Sequence, residues 1–334
     1  FYSNSASKCR KLANVSNSVI VLDESQSIPT DQLGPCTQYL KFLTTECGCT
    51  VVSCTAKQPN LELPIKEFFT EKQKIQYLIK ETGTFAEICD EDLSKRMFKT
   101  FKRVTYERRK GRMKLDDLAN ELKSKNQVLC IVNTRKIAQQ LYDKVKDRPN
   151  AYCLSTAMFP YHRREKLKEI HKYLNNDEPC IVISTSLIEA GVDIDFPLVY
   201  RELASAESIV QAAGRCNREG TRPTEDSKVT IFELEGDYPP NSMKIDIDAS
   251  RSAIKTIEKM GKDFGDIKFI EISSNNKNIT GIDHDVHKVI ETIKGNKGEI
   301  GFAYATIGEK FRLITSDTVA VFIPTEECKA LLKT

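Results

Sequence analysis

The chain has 334 residues, room for about two domains, and its 40% hydrophobic and 29% charged residues suit a soluble protein that buries real cores. A net charge of +3 excludes a strongly basic nucleic-acid arm but leaves room for a local basic groove. No apolar run approaches the roughly 20 residues that a membrane span needs, and Phe1 to Arg10 lack the pattern of a secretory signal; the expected location is cytoplasmic, with no membrane partner.

In chain order, Ser18–Leu22 reads as a buried strand and Pro35–Cys47 as a helix with Tyr39, Leu40 and Leu43 on one face. Thr50–Ser53 is a second strand. The run from Lys57 to Lys114 holds few strand signals and many charges, from Lys95 and Arg96 to Arg112 and Lys114, and reads as a connection between two α/β domains. Its basic part, Lys95–Lys114, either lies along a nucleic-acid groove or is a solvated linker. Gln127–Val132 is a third strand, followed by a helix from Thr134 to about Val145. Tyr152–Leu154, Pro179–Ile183 and Val229–Phe232 are further strands, with helices at Arg163–Leu174 and Glu207–Asn217. Past the Gly, Pro and Asn cluster at Gly236–Asn241 the alternation weakens. Continuous apolar strands separated by helices indicate parallel sheets covered on both faces, whose ligands gather at the carboxyl ends of the strands.

There are 11 cysteines, with no Cys-x-x-Cys pair. Cys54, Cys130 and Cys180 fall inside strand-like runs and read as reduced, buried, small apolar side chains.

Four stretches carry the chemistry. Asp23-Glu24-Ser25-Gln26 follows the first strand; adjacent carboxylates there can divide labour, one holding Mg²⁺ and the other orienting a water. The competing reading is a solvated turn. Ser53-Cys54-Thr55 follows the second strand, and its hydroxyls can bond to the neighbouring carboxylate loop, or simply cap a turn. Ser184-Thr185 ends the fifth strand and leads to Glu189-Ala190-Gly191-Val192-Asp193-Ile194-Asp195. Thr185 is placed to meet a nucleic-acid phosphate, Gly191 to let the backbone approach a ligand, Asp193 to accept from a ribose hydroxyl, and Asp195 to act as a solvated carboxylate or a cap. Gln211, Arg215 and Arg218 share one face if Glu207–Asn217 is a continuous helix, and two arginines there suit a triphosphate. Gly214 inside that helix calls for a close contact.

These stretches occur in the order of the later motifs of superfamily-two helicases. Asp23–Gln26 resembles motif II, Ser53-Cys54-Thr55 motif III, Ile183–Asp195 motif V and Gln211–Arg218 motif VI. Ser184–Phe196, Val199–Leu203, Gln211–Gly220, Asn133-Thr134-Arg135, Ser155-Thr156 with His162-Arg163, Phe302–Thr306 and Glu309–Ile314 are similar to the helicase portion of the CRISPR-associated helicase–nuclease of type I interference systems. The resemblance implies an α/β fold of RecA-like parallel sheets with flanking helices. It divides the chain into a carboxyl-terminal remnant of a first motor domain (1–70), a linker (71–100), a complete second motor domain (101–238) and a small accessory segment (239–334).

The same resemblance implies translocation on single-stranded DNA driven by ATP and Mg²⁺, with recruitment by an RNA-guided surveillance complex. Asp23 would hold the metal, Glu24 the water, and Gln211, Arg215 and Arg218 the phosphates. Gly191, Asp193 and Gln26 would serve nucleotide binding. Thr185, Arg135, Arg163, Ser53 and Thr55 would contact the DNA.

The pattern also breaks. No G-x-x-x-x-G-K-S/T loop occurs, and the 4 histidines offer no nuclease metal set. The chain is therefore expected to be a fragment or truncated product that hydrolyses ATP poorly by itself. The alternatives are a non-catalytic nucleic-acid- or protein-binding module, or a piece of another superfamily-two helicase.

Overall fold

The computed structural model describes residues 10–25, 28, 32–54, 88, 91–189, 191–236, 240–261, 269–270, 272–273, 287–290, 292 and 304–311. Gln26 and Thr55 lie outside these, as do most of the run 57–90 and much of the stretch beyond 261. The chain divides into two compact units: Phe1–Thr82 with Ile282–Thr334, and Gly83–Gly281.

In the first unit, α1 (Lys11–Val15), β1 (Val19–Asp23), α2 (Leu33–Thr45) and β2 (Thr50–Cys54) alternate, and β1 pairs with β2 in parallel. Elsewhere in this unit Val289 and Ile307, the latter on α9 (Tyr304–Lys310), are buried together, with Tyr39 of α2 and Phe311 packed against them. The expectation of a buried first strand needs correction: Val19 is 68% and Val21 60% exposed. Alternate residues of a strand point to opposite faces, and among the described residues only one face of this pair of strands is covered. Cys54, expected to be buried, is exposed at the end of β2 for the same reason.

The second unit begins with α3 (Glu91–Thr100) and is built on a six-stranded, all-parallel sheet. Its strands are β3 (Thr105–Met113), β4 (Gln127–Ile131), β5 (Ala151–Leu154), β6 (Cys180–Ser184), β7 (Leu198–Glu202) and β8 (Lys228–Leu234), in the spatial order β3-β8-β7-β4-β6-β5. Every residue of β4 and β6 is buried, which is why both read as unbroken apolar runs. Leu129, Ile131 and Val182 point to one face with Ile170 and Leu174 of α6 (Pro160–Asn175) and Ala212 of α7 (Ala206–Ala213). Val128, Cys130, Ile181 and Ile183 point to the other, beneath Leu118 and Leu122 of α4 (Leu115–Lys123) and Leu141 of α5 (Arg135–Val145). A third cluster joins Ala206 and Ile209 of α7 and Ile231 of β8 to Ile254 and Ile257 of α8 (Asn241–Lys259). The α/β fold with helices on both faces is thus the one the strand pattern predicts.

The sequence reading assigned no strand to the basic run, yet Thr105–Met113 is the edge strand β3, paired with β8. Pairing uses the backbone, and charged side chains are what an edge strand tolerates. Arg108 lies 3.4 Å from Glu258 and Arg109 3.0 Å from Glu107, so these arginines are matched within the fold. The register shifts between Arg108 and Arg112, where Gly111 takes a left-handed φ of 80°. The strand β7 was also missed, because the charged pair Arg201-Glu202 interrupts its apolar run.

Leu129 is fully buried at the centre of the sheet. Leu129→Ala should lower the unfolding free energy by about 2–5 kcal/mol, read from urea denaturation with an unchanged slope.

Candidate functional site

Parallel strands bring all their carboxyl ends to one edge of a sheet, and the loops leaving that edge carry the candidate residues. In the first unit, β1 ends at Asp23, which is exposed, and Glu24 follows with φ 52°, a left-handed conformation uncommon outside glycine. Ser25 turns inward to 3% exposure, and its hydroxyl bonds to that of Ser53 at 2.7 Å. The hydroxyl at the end of β2 therefore steadies the carboxylate loop, as expected.

In the second unit, β4, β5 and β6 deliver Asn133-Thr134-Arg135, Ser155-Thr156 and Thr185 to the same edge. Thr134 caps α5, its hydroxyl accepting from the Ile137 amide at 3.2 Å, and leaves Arg135 exposed on the first turn. Arg163 sits half-buried in the first turn of α6. Thr185 is buried at 6% exposure, and its amide donates to the Leu154 carbonyl at 3.2 Å. Ser184 bonds the same carbonyl at 3.1 Å, which clamps the β6 loop to the end of β5. Gly191 has φ 68° with open space where a side chain would stand; here glycine serves the left-handed turn.

The Gln211–Arg218 segment differs from the single helix expected. Helix α7 ends at Ala213, with Gly214 as its C-cap, so Gln211, Arg215 and Arg218 do not share one helical face. Cys216 instead forms a bridge with Phe196: the Phe196 amide donates to Arg215 O at 2.9 Å and the Asn217 amide to Phe196 O at 3.0 Å. Asn217, in a left-handed conformation and 1% exposed, ties the turn to the Arg103 and Arg222 carbonyls at 2.9 and 2.8 Å. These long-range contacts end the helix that local pattern alone would extend.

The two arginines part company as a result. Arg215 is buried at 8% exposure and donates to the carbonyls of Ile188 at 2.9 Å and Glu189 at 2.5 Å. Arg218 keeps a 39% exposed side chain, 2.7 Å from the Asp193 carboxylate. Asp195 is a cap and an ion partner at once: it accepts from the Arg218 amide and from Arg222, both at 2.7 Å.

Behind these loops lies a buried network that the sequence reading left out of the site. Arg201, with 0% exposure, meets the Glu189 carboxylate at 2.9 Å. It donates to Asn133 Oδ1 and to Glu202 O, each at 2.8 Å. Glu189 also accepts from the Ser208 hydroxyl at 2.5 Å. The Asn133 amide donates to the Glu202 carboxylate at 2.7 Å, and its side chain to Leu203 O at 2.9 Å. Burial holds Glu189 above the ordinary carboxylate range, while Arg201, Ser208 and Arg215 pull it back. A charge inside the apolar run Leu198–Leu203 was the available signal, since a charge in a buried strand demands a buried partner.

An open cleft of about 290 Å³ lies beside this network, outside the ends of β4, β7 and β8, lined by Arg112, Asn133, Glu202, Glu233, Ile247 and Arg251. Arg251 lies 3.0 Å from Glu233 and 2.5 Å from Asp248, so the cleft is closely balanced in charge. Among the described residues, no group of three His, Cys, Asp or Glu side chains could hold a metal, and no helix is long and apolar enough to cross a membrane.

Residues 124–221 match the family model "CRISPR-associated nuclease/helicase Cas3, C-terminal". Over those residues the chain is similar to Cas3-type helicases. A curated Cas3 nuclease/helicase from Methanothermobacter thermautotrophicus is 34% identical over 121 residues, 36% of this chain and 14% of that protein. The crystal structure of T. fusca Cas3-AMPPNP superposes with a TM-score of 0.60 at 16% identity, covering 92% of this chain and 44% of that one. A chain of the "CRISPR RNA-guided surveillance complex, pre-nicking" gives a TM-score of 0.53 at 15% identity, covering 90% and 43%. The chain spans less than half the length of each of these proteins. The family resemblance read from the motifs and the RecA-like fold it implied are both found.

Glu189→Gln replaces the carboxyl facing Arg201 with a neutral amide of the same size. The native carboxyl has a folded value above its unfolded one, so its contribution is complete below 4.5 and is lost as pH rises through the raised value. Melting temperatures recorded across that range should fall with pH more steeply for the native chain than for Glu189→Gln.

Proposed function

We propose that this chain is part of an ATP-driven translocase on single-stranded DNA acting in CRISPR interference. The observation that carries the reading is the coincidence of the Cas3-type match, residues 124–221, with the loops at the carboxyl edge of the six-stranded sheet. Arg135 is exposed there at the start of a capped helix, where its charge and the helix N-terminus both favour a phosphate. Thr185 follows β6 at the same edge, and Arg163 lies in the first turn of the helix that follows the neighbouring β5. The charge-balanced cleft beside β8 offers no comparable attraction for an anion.

Nucleotide and metal roles rest on the remaining candidates. The exposed carboxylate of Asp23 suits a hard cation such as Mg²⁺, which takes one or two carboxylates and completes its shell with water and phosphate oxygens. Glu24, in its left-handed turn, would orient a water, with Gln26 alongside in the sequence. Arg218, through its exposed guanidinium, is the better phosphate contact; Arg215 would act by holding the Ile188–Glu189 backbone beneath it. Gln211, Gly191 and Asp193 remain candidates for nucleotide binding, and Ser53 and Thr55 for DNA contact, as the motif resemblance implies. An RNA-guided surveillance complex is the proposed partner, by analogy with the similar chain whose structure is named for one.

Fluorescent single-stranded DNA should bind with an affinity that falls with salt, the log–log slope being about −0.7 for each phosphate contacted. Arg135→Ala should reduce that slope by about 0.7 while leaving the fold intact. An affinity indifferent to salt would overturn the reading. Because the 334 residues contain no phosphate loop, the purified chain alone should turn over ATP poorly; strong DNA-stimulated turnover contradicts this.

A further inference from the structure

Arg201 is the largest fully buried side chain of the described residues, and it carries a charge. Removing a guanidinium from water is costly, and a well-packed apolar side chain of similar size is often as stable or more so. Stability alone therefore does not account for an arginine at this place. Its partners do. The guanidinium reaches Asn133, directly ahead of the Thr134 cap and Arg135, at 2.8 Å. It reaches the Glu189 carboxylate, at the end of the loop that begins with Thr185, at 2.9 Å. Ser208 of α7 lies 3.4 Å away and is itself bonded to Glu189. The two loops leave neighbouring strands, β4 and β6, so a small shift of either would change the spacing of Arg135 and Thr185.

We propose that Arg201 is a positioning residue for nucleic-acid binding, whose planar fork sets the Asn133–Arg135 loop and the Thr185–Glu189 loop in one register against a phosphate backbone. The inference rests on the reading of this edge as a single-stranded DNA surface. Lysine cannot take its place, because a single ammonium does not span Asn133, Glu189 and the Glu202 carbonyl with fixed angles. Arg215, donating to the carbonyls of Ile188 and Glu189, ties the segment before Arg218 to the same node.

The test uses the whole chain, a fluorescent oligothymidine and a salt series. Arg201→Lys keeps the buried charge and loses the fork; the double variant Glu189→Gln with Arg201→Gln removes both charges. Circular dichroism and thermal unfolding identify which of them are folded. A folded variant should show a salt slope reduced by about 0.7–1.4, the loss of one or two phosphate contacts. A merely smaller folded fraction lowers the binding amplitude and leaves the slope unchanged, so the slope separates positioning from scaffolding. A folded variant with the parent's slope overturns the inference. So does failure of both variants to fold, which would make the network scaffold alone. Arg135→Ala distinguishes the underlying reading: if it and the parent bind without salt dependence, the DNA surface itself is wrong, and the inference falls with it.

Discussion

The second unit depends on an ion pair that sits where apolar packing would be expected. Arg201 on β7 and Glu189 after β6 meet at 2.9 Å with almost no access to solvent. Their contact is charge against charge more than an aligned N–H···O bond, and the desolvation of both groups is offset only because each finds further partners. Asn133, Ser208 and the Glu202 carbonyl supply them, and each belongs to a different loop or helix. One buried charge thus obliges four segments to keep a fixed arrangement.

The parallel sheet explains why those segments meet. All six strands run the same way, so their carboxyl ends share an edge. The connection after β4 runs toward β5 on one side, and that after β7 toward β8 on the other. Loops diverge at this switch point and leave a crevice, which is where ligands of open α/β sheets bind. Asn133 and Glu202 stand on its two sides.

The segment from Gln211 to Arg218 shows how tertiary contacts divide labour between like residues. Ending α7 at Ala213 lets Cys216 pair with Phe196, turns Arg215 inward onto two carbonyls, and sends Arg218 outward beside Asp193. A continuous helix would have left both arginines on a solvated face. The first unit works on a smaller scale: the Ser25–Ser53 bond fastens the turn that follows Asp23, while Val19 and Val21 keep one face of β1 exposed.

By itself the sequence determined the fold class, the parallel sheet and the positions of most strands, because strands buried on both faces must be continuously apolar. It also placed Asp23, Thr185, Arg135 and Arg218 in stretches that resemble, in order, the motifs of superfamily-two helicases, since motif order survives in a linear text. It hid β3, whose pairing uses backbone groups common to every residue, and β7, whose charges look foreign to a buried strand. Only the tertiary structure decided where α7 stops, which arginine faces outward, and that Arg201 reaches Asn133 and Glu189. The reason is the same in each case: a buried polar group takes its meaning from partners brought close by folding, here Asn133 at 68 residues' separation and Ser208 at 7.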